Sequence, residues 1–202
     1  GTFCGDPIST LYMAGYDRIW KYDPARGIHR LGAAASSAIV DLMSAGGTLY
    51  GTGYGGYTVP VFQLTTGCQI DTLNDMHPAG AVANWAVEYF NSQLYAGSGS
   101  NGCYGTACNC ADYEGGVLWT YQGGTWQQAH AWPRQSTGEG VTALAAQGDT
   151  YLYIGLGLPV AQYFSYTSGT AEVWRFDGTS YVRLSPASFP GAGVQTMIVA
   201  GG

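Results

Sequence analysis

Apolar and polar residues alternate along most of this chain in short runs, the period of half-buried β-strands. The clearest stretch runs from Val141 to Leu184. Val141, Ala143 and Ala145 alternate in a first strand. TYLYIG (Thr150 to Gly155) predicts a second strand, AEVWRFDG (Ala171 to Gly178) a third and SYVRL (Ser180 to Leu184) a fourth. Gly148-Asp149 and Asp177-Gly178-Thr179 mark turns between them, because Gly and Asp tolerate the backbone angles of tight hairpins. Four antiparallel strands in about 45 residues make one compact sheet.

The words of this sheet recur. The second strand reappears as LYMAG (Leu11 to Gly15), LYGTG (Leu49 to Gly53) and LYAGSG (Leu94 to Gly99), before LYIGLG (Leu152 to Gly157). In each, alternation places the leucine and the residue two positions on at one sheet surface, with the tyrosine at the other. DRIWKYDPARG (Asp17 to Gly27), GGVLWTYQGGT (Gly115 to Thr125) and a weaker copy, TVPVFQLTTG (Thr58 to Gly67), repeat the third strand. First strands are read at Ala38 to Gly47, Ala81 to Ser92, Val141 to Asp149 and Val194 to Gly202. The N-terminal copy has no first strand of its own, and the C-terminus ends on one. The units are therefore residues 11–32 completed by 193–202, then 38–75, 81–132 and 141–187, within one domain spanning 1–202.

These stretches resemble the β-propeller repeat proteins, whose blades read roughly V-x-x-L-x-x-x-G-x-x-L-Y-x-G-T-G and then G-x-V-W-x-[YF]-D-G-x-x-W-x-x-L. VTALAAQGDTYLYIGLG and GTAEVWRFDGTSYVRL match this pattern, with Tyr181 where the family has Trp. Neither the kelch glycine doublet nor the WD dipeptide recurs. The resemblance implies an all-β fold, a β-propeller of about four blades with four antiparallel strands each. Its last strand either closes the ring within the chain or belongs to a larger or intermolecular assembly. It also implies an extracellular or cell-surface module that binds proteins or glycans, an analogy from fold.

Composition narrows the partners. The chain has 202 residues, a formal charge of -6 and only 10% charged residues, so it lacks the basic clusters that nucleic-acid binding requires. No apolar run approaches the length of a membrane-spanning helix. The five cysteines, Cys4, Cys68, Cys103, Cys108 and Cys110, are disulfide candidates. The C-x4-C-x-C spacing of the last three fits no zinc signature, so no metal site is expected, and disulfides imply an oxidising compartment. The chain opens without Met and shows no signal peptide, as expected of a mature or excised piece.

Candidate sites follow from this layout. Insertions at 98–116 and 158–169 occupy equivalent points in two units and emerge on one face. Tyr104, Asp112, Tyr113, Tyr163, Phe164 and Tyr166 then form the expected binding surface. Trp20, Trp119 and Trp174 read as packing between adjacent sheets. His29, His77 and His130 lie in or beside three different fourth-strand regions, which makes a metal trio geometrically hard. Asp41 and Glu88 sit on first strands, the elements that line a propeller's channel, and are weak candidates for a general acid-base pair. No cofactor is expected; calcium has weak candidates in Asp17, Asp23 and the Asp112/Glu114 loop, without EF-hand spacing. The expectation is a non-catalytic extracellular structural, adhesive or protein-interaction module, self-assembling through strand or loop exchange. The alternative is a lectin-like or glycan-active propeller.

Overall fold

The computed structural model describes residues 11–15, 18–31, 38–54, 61–64, 70–73, 83–99, 116–133, 140–157, 171–191 and 193–200. Among them the fold is all-β, with fifteen strands and no helix, hence none long and apolar enough to cross a membrane. The first three strands are β1 (Leu11–Gly15), β2 (Arg18–Asp23) and β3 (Gly27–Leu31). They are followed by β4 (Ala38–Ala45), β5 (Thr48–Tyr54), β6 (Val61–Leu64) and β7 (Ile70–Thr72). The next group is β8 (Ala83–Phe90), β9 (Gln93–Gly99), β10 (Val117–Gln122) and β11 (Thr125–Ala131). The last is β12 (Gly140–Gln147), β13 (Tyr151–Gly157), β14 (Glu172–Phe176) and β15 (Tyr181–Arg183).

Within each group, consecutive strands pair antiparallel, so the chain lays down one three-stranded and three four-stranded meanders. The turns explain the regularity. Gly46 and Gly47 close the β4–β5 hairpin with φ of 55° and 81°, and Asn91 and Ser92 close the β8–β9 hairpin with φ of 50° and 62°. Paired left-handed residues match the natural twist of the flanking strands. The first strand of each four-stranded group also carries a bulge at the same place: between Ile39 and Asp41, Asn84 and Ala86, and Val141 and Ala143.

Side-chain packing, far more than backbone pairing, joins one sheet to the next. A single residue pair links β5 to β8 (Tyr54 with Ala83), and another links β9 to β12 (Gly99 with Gly140). The apolar clusters lie between neighbouring sheets. Ile19 and Leu31 meet Ile39, Leu49 and Phe62 in one. Val61 and Leu73 meet Val87 and Leu94 in the second, and Phe90, Tyr95 and Leu118 meet Leu144, Leu152 and Phe176 in the third. The alternation of the LY word is obeyed: Leu49 packs toward the preceding sheet, and Tyr50 joins the cluster on the following side.

The C-terminal stretch departs from the expected closure. Residues 194–200 form no ladder with β1; Gly193 makes one antiparallel bridge to Gly157 instead. The Val194 N–H donates to the Leu156 carbonyl, and the Thr142 hydroxyl donates to the Val194 carbonyl. These bonds hold the segment on β12 and β13, at the far end of the chain from β1.

Glycine sets how closely the sheets approach. A Cβ on Gly97 would lie 2.4 Å from the Val141 Cγ1 and 2.7 Å from the Val141 carbonyl oxygen. Gly97→Ala should therefore lower stability by about 1–3 kcal/mol, because backbone must move to relieve the overlap. Urea denaturation should show a lower midpoint with an unchanged slope. An unaltered midpoint would mean that the third and fourth sheets do not approach this closely.

Candidate functional site

The two acids singled out from the sequence come from adjacent first strands, each beside the following sheet. The Asp41 carboxylate, next to the β4 bulge, accepts the Leu42 N–H on Oδ1 and the Val87 N–H on Oδ2, both at 2.9 Å. Glu88 repeats the arrangement one sheet on, accepting the Tyr89 N–H at 2.9 Å and the Ala146 N–H at 3.3 Å. Each first strand pairs along one edge with its own second strand, which leaves amides on the other edge in need of acceptors. The carboxylates supply them and tie β4 to β8 and β8 to β12.

Both carboxyls are held above their ordinary range. Burial is the main cause for Asp41, opposed by the amides of Val87 and Leu42. Burial also leads for Glu88, opposed by the amides of Tyr89 and Ala146, and the charge on Asp41 raises it further. The charge on Asp41 thus reaches Glu88, and the oxygens of both are engaged by backbone. The arrangement acts as a staple between sheets.

The binding-surface residues Tyr104, Asp112, Tyr113, Tyr163, Phe164 and Tyr166 lie outside the described residues, as do all five cysteines, Asp17, His77 and Glu114. Asp23 caps its own turn by accepting the Ala25 N–H at 2.8 Å. No group of three or more His, Cys, Asp or Glu gathers among the described residues. The tryptophans divide. The Trp119 Nε1 donates to the Ser98 Oγ at 2.8 Å, and the Trp174 Nε1 donates to the Glu172 Oε2 at 2.7 Å, with Trp174 edge-on to Trp132. His130 stacks on Tyr181, with centroids 4.2 Å apart, in the same aromatic cluster, and burial lowers its pKa. These rings pack the interior.

Trp20 does not. It belongs to an exposed apolar face on the N-terminal sheet that the sequence reading missed. Cross-strand pairing of Leu11 with Tyr22, Met13 with Trp20 and Tyr22 with Ile28 sets these side chains on one surface. The equivalent leucines are 4% exposed at Leu49, 4% at Leu94 and 0% at Leu152, whereas Leu11 is 57% exposed. Ile28 is 63% exposed and Tyr22 42%. The sequence did hold a signal: the first copy keeps apolar residues where later copies face a preceding sheet, while the end of a finished array turns polar there.

The opposite end is also open. The outer face of the last sheet presents Tyr151, Tyr153, Arg175 and Val182, with the Arg175 guanidinium 4.4 Å above the Tyr151 ring. Between this face and the C-terminal segment lies a cavity of about 400 Å³, lined by Gln147, Tyr153 and residues 197–200 among others.

No family model matches the chain, and no curated protein matches it in sequence. Solved structures do match in fold. YjhT superposes with a TM-score of 0.56 at 18% identity, covering 93% of this chain and 65% of its own. A chain from the S. cerevisiae complex of a Dbp5 variant bound to Nup159, a Gle1 variant, IP6 and ADP gives 0.54 at 8%, covering 87% and 45%. The N-terminal domain of Nup159 gives 0.51 at 7%, again covering 87% and 45%. The chain spans less than two thirds of the length of each, and at these identities the likeness is one of fold alone.

The acid pair yields a pH test. A folded-state pKa above the unfolded value favours the protonated fold, so the pair's stabilisation is fully present below the ordinary carboxyl pKa. It is lost as pH rises through the raised values. Between about pH 4 and about pH 7 the parent chain should lose stability relative to Glu88→Gln, measured as the difference in denaturation midpoints. A difference that does not change with pH would mean that Glu88 is not buried beside Asp41.

Proposed function

We propose that this chain is a non-catalytic extracellular or cell-surface module, built as an arc of four β-propeller blades, that works by binding protein, copies of itself included. The observation that carries this reading is the apolar face of the first blade. A leucine buried in three blades and exposed in the fourth is a packing position without its partner. A Trp, a Tyr and an Ile on the same surface form a patch of the composition that anchors protein interfaces. The structural neighbours continue well beyond the stretch that this chain matches. One of them comes from a protein complex by title. Low charge and five cysteines support an extracellular setting.

The glycan-active alternative draws on one observation, the influence of the Asp41 charge on Glu88. Their engagement with backbone amides favours the structural role. Light scattering and electron microscopy of the purified chain over a range of concentrations, beside a glycan array, separate the two. Reversible assemblies, weakened about tenfold or more by Trp20→Asp or Tyr22→Asp, are expected, with no glycan bound. A chain that stays monomeric, binds a glycan and loses it on Asp41→Asn would overturn the proposal.

A further inference from the structure

We infer that residues 193–200 of one copy supply the missing first strand to the N-terminal sheet of a second copy, whose Leu11 enters the cavity beside that segment. This rests on the protein-binding reading and names the partner as the chain itself.

Equivalence between the steps from sheet to sheet carries the first half. The end of a second strand bridges to the start of the next first strand at Tyr54 with Ala83 and at Gly99 with Gly140. Gly157 with Gly193 is the third member of the series. The side chain that follows each bridge docks in the same way. A Cβ on Gly97 would strike Val141 at 2.4 Å, and one on Gly155 would strike the Val194 Cγ1 at 2.7 Å. Residues 193–200 thus occupy the place that β8 and β12 take against the sheets before them. Ile198, in its middle, is 88% exposed.

The N-terminal sheet has the complementary composition. It supplies second, third and fourth strands as β1, β2 and β3, and β1 pairs with no described strand except β2. The hairpin joining β4 to β5 reads Ala45-Gly46-Gly47-Thr48-Leu49-Tyr50. In sequence, Ala200-Gly201-Gly202 repeats its first half and Thr10-Leu11-Tyr12 its second. Ser44 pairs with Leu49 and Leu42 with Gly51 in that hairpin, so Val199 should pair with Leu11 and Met197 with Met13.

The cavity carries the second half independently. Its Tyr153 corresponds to Tyr95 and Tyr50 in the two preceding sheets. There the next LY leucine fills the space: Leu152 shares a core cluster with Tyr95 and Phe90, and Leu94 shares one with Tyr50 and Met43. At the last sheet none of the described residues supplies that leucine, and the corresponding space is the cavity beside residues 197–200. Leu11 is the LY leucine left exposed. Within one copy the segment lies on β12 and β13 while β1 belongs to the first sheet, and a second copy brings the two together. The contact is head-to-tail, closing two arcs into a ring or running on as a filament.

Two full-length variants test this. Ile198→Pro removes a backbone donor from the donated strand at an exposed position, and Leu11→Asp charges the residue that enters the cavity. Each alone should weaken self-association about a hundredfold or more, and an equimolar mixture should recover a 1:1 heterodimer through its one intact interface. Should a variant misfold by circular dichroism, hydrogen exchange on the unaltered chain decides: amides of Leu11–Gly15 should gain protection as concentration rises. Association abolished by Leu11→Asp yet indifferent to Ile198→Pro would overturn strand donation and leave the protein-binding module standing. A monomer at every concentration, or association indifferent to both variants, would overturn strand donation together with the role given to the N-terminal face.

Discussion

Face-to-face contact between consecutive sheets, with one leucine near the centre of each contact, is the interaction on which the rest depends. A four-stranded meander has two faces and cannot bury either by itself. Leu49, Leu94 and Leu152 each turn back onto the sheet before, and the tyrosine beside each turns forward. Full burial of one such leucine stabilises by about 1.5–3 kcal/mol, whereas the backbone adds only a single bridge at each of two steps. Close approach is permitted by missing side chains, at Gly97 and again at Gly155. Remove the neighbour and the same leucine becomes a solvent-exposed liability, as Leu11 is.

Polar chemistry follows from that stacking. First strands brought side by side leave edge amides in a partly buried strip, and Asp41 and Glu88 satisfy them across the gap. Their raised proton affinity is a by-product of where the acceptors are needed. Paired acids on neighbouring strands invite comparison with glycosidase pairs, and here both carboxylates accept backbone amides. Glu172 is a parallel case: a 3% exposed carboxylate held by the Trp174 indole and by Arg183 at 3.2 Å.

Strand order and turns were legible because period-two alternation and left-handed turn residues are local signals. The LY word located each second strand, and Asp177-Gly178 located a turn that the Asp177 carboxylate caps. The placement of 194–200 was not legible, because its apolar alternation is equally compatible with pairing in its own sheet, in another copy or with nothing. Docking of Val194 over Gly155 depends on a groove that exists only once β12 and β13 are assembled. The stapling role of Asp41 escaped for a similar reason: its partner amide is 46 residues away, and spacing alone cannot reveal it.

The single-residue bridges between sheets have a mechanical consequence. A ladder loaded along its strands shares force over many hydrogen bonds, but a stack of sheets joined by one bridge and a layer of side chains does not. Tension applied between the two termini would reach one sheet-to-sheet contact at a time. Each meander would peel away as a unit, and its own ladders would rupture only afterwards. Such a chain yields in steps, dissipating load at every joint, and it can re-form each joint locally because, among the described residues, the apolar clusters join neighbouring sheets.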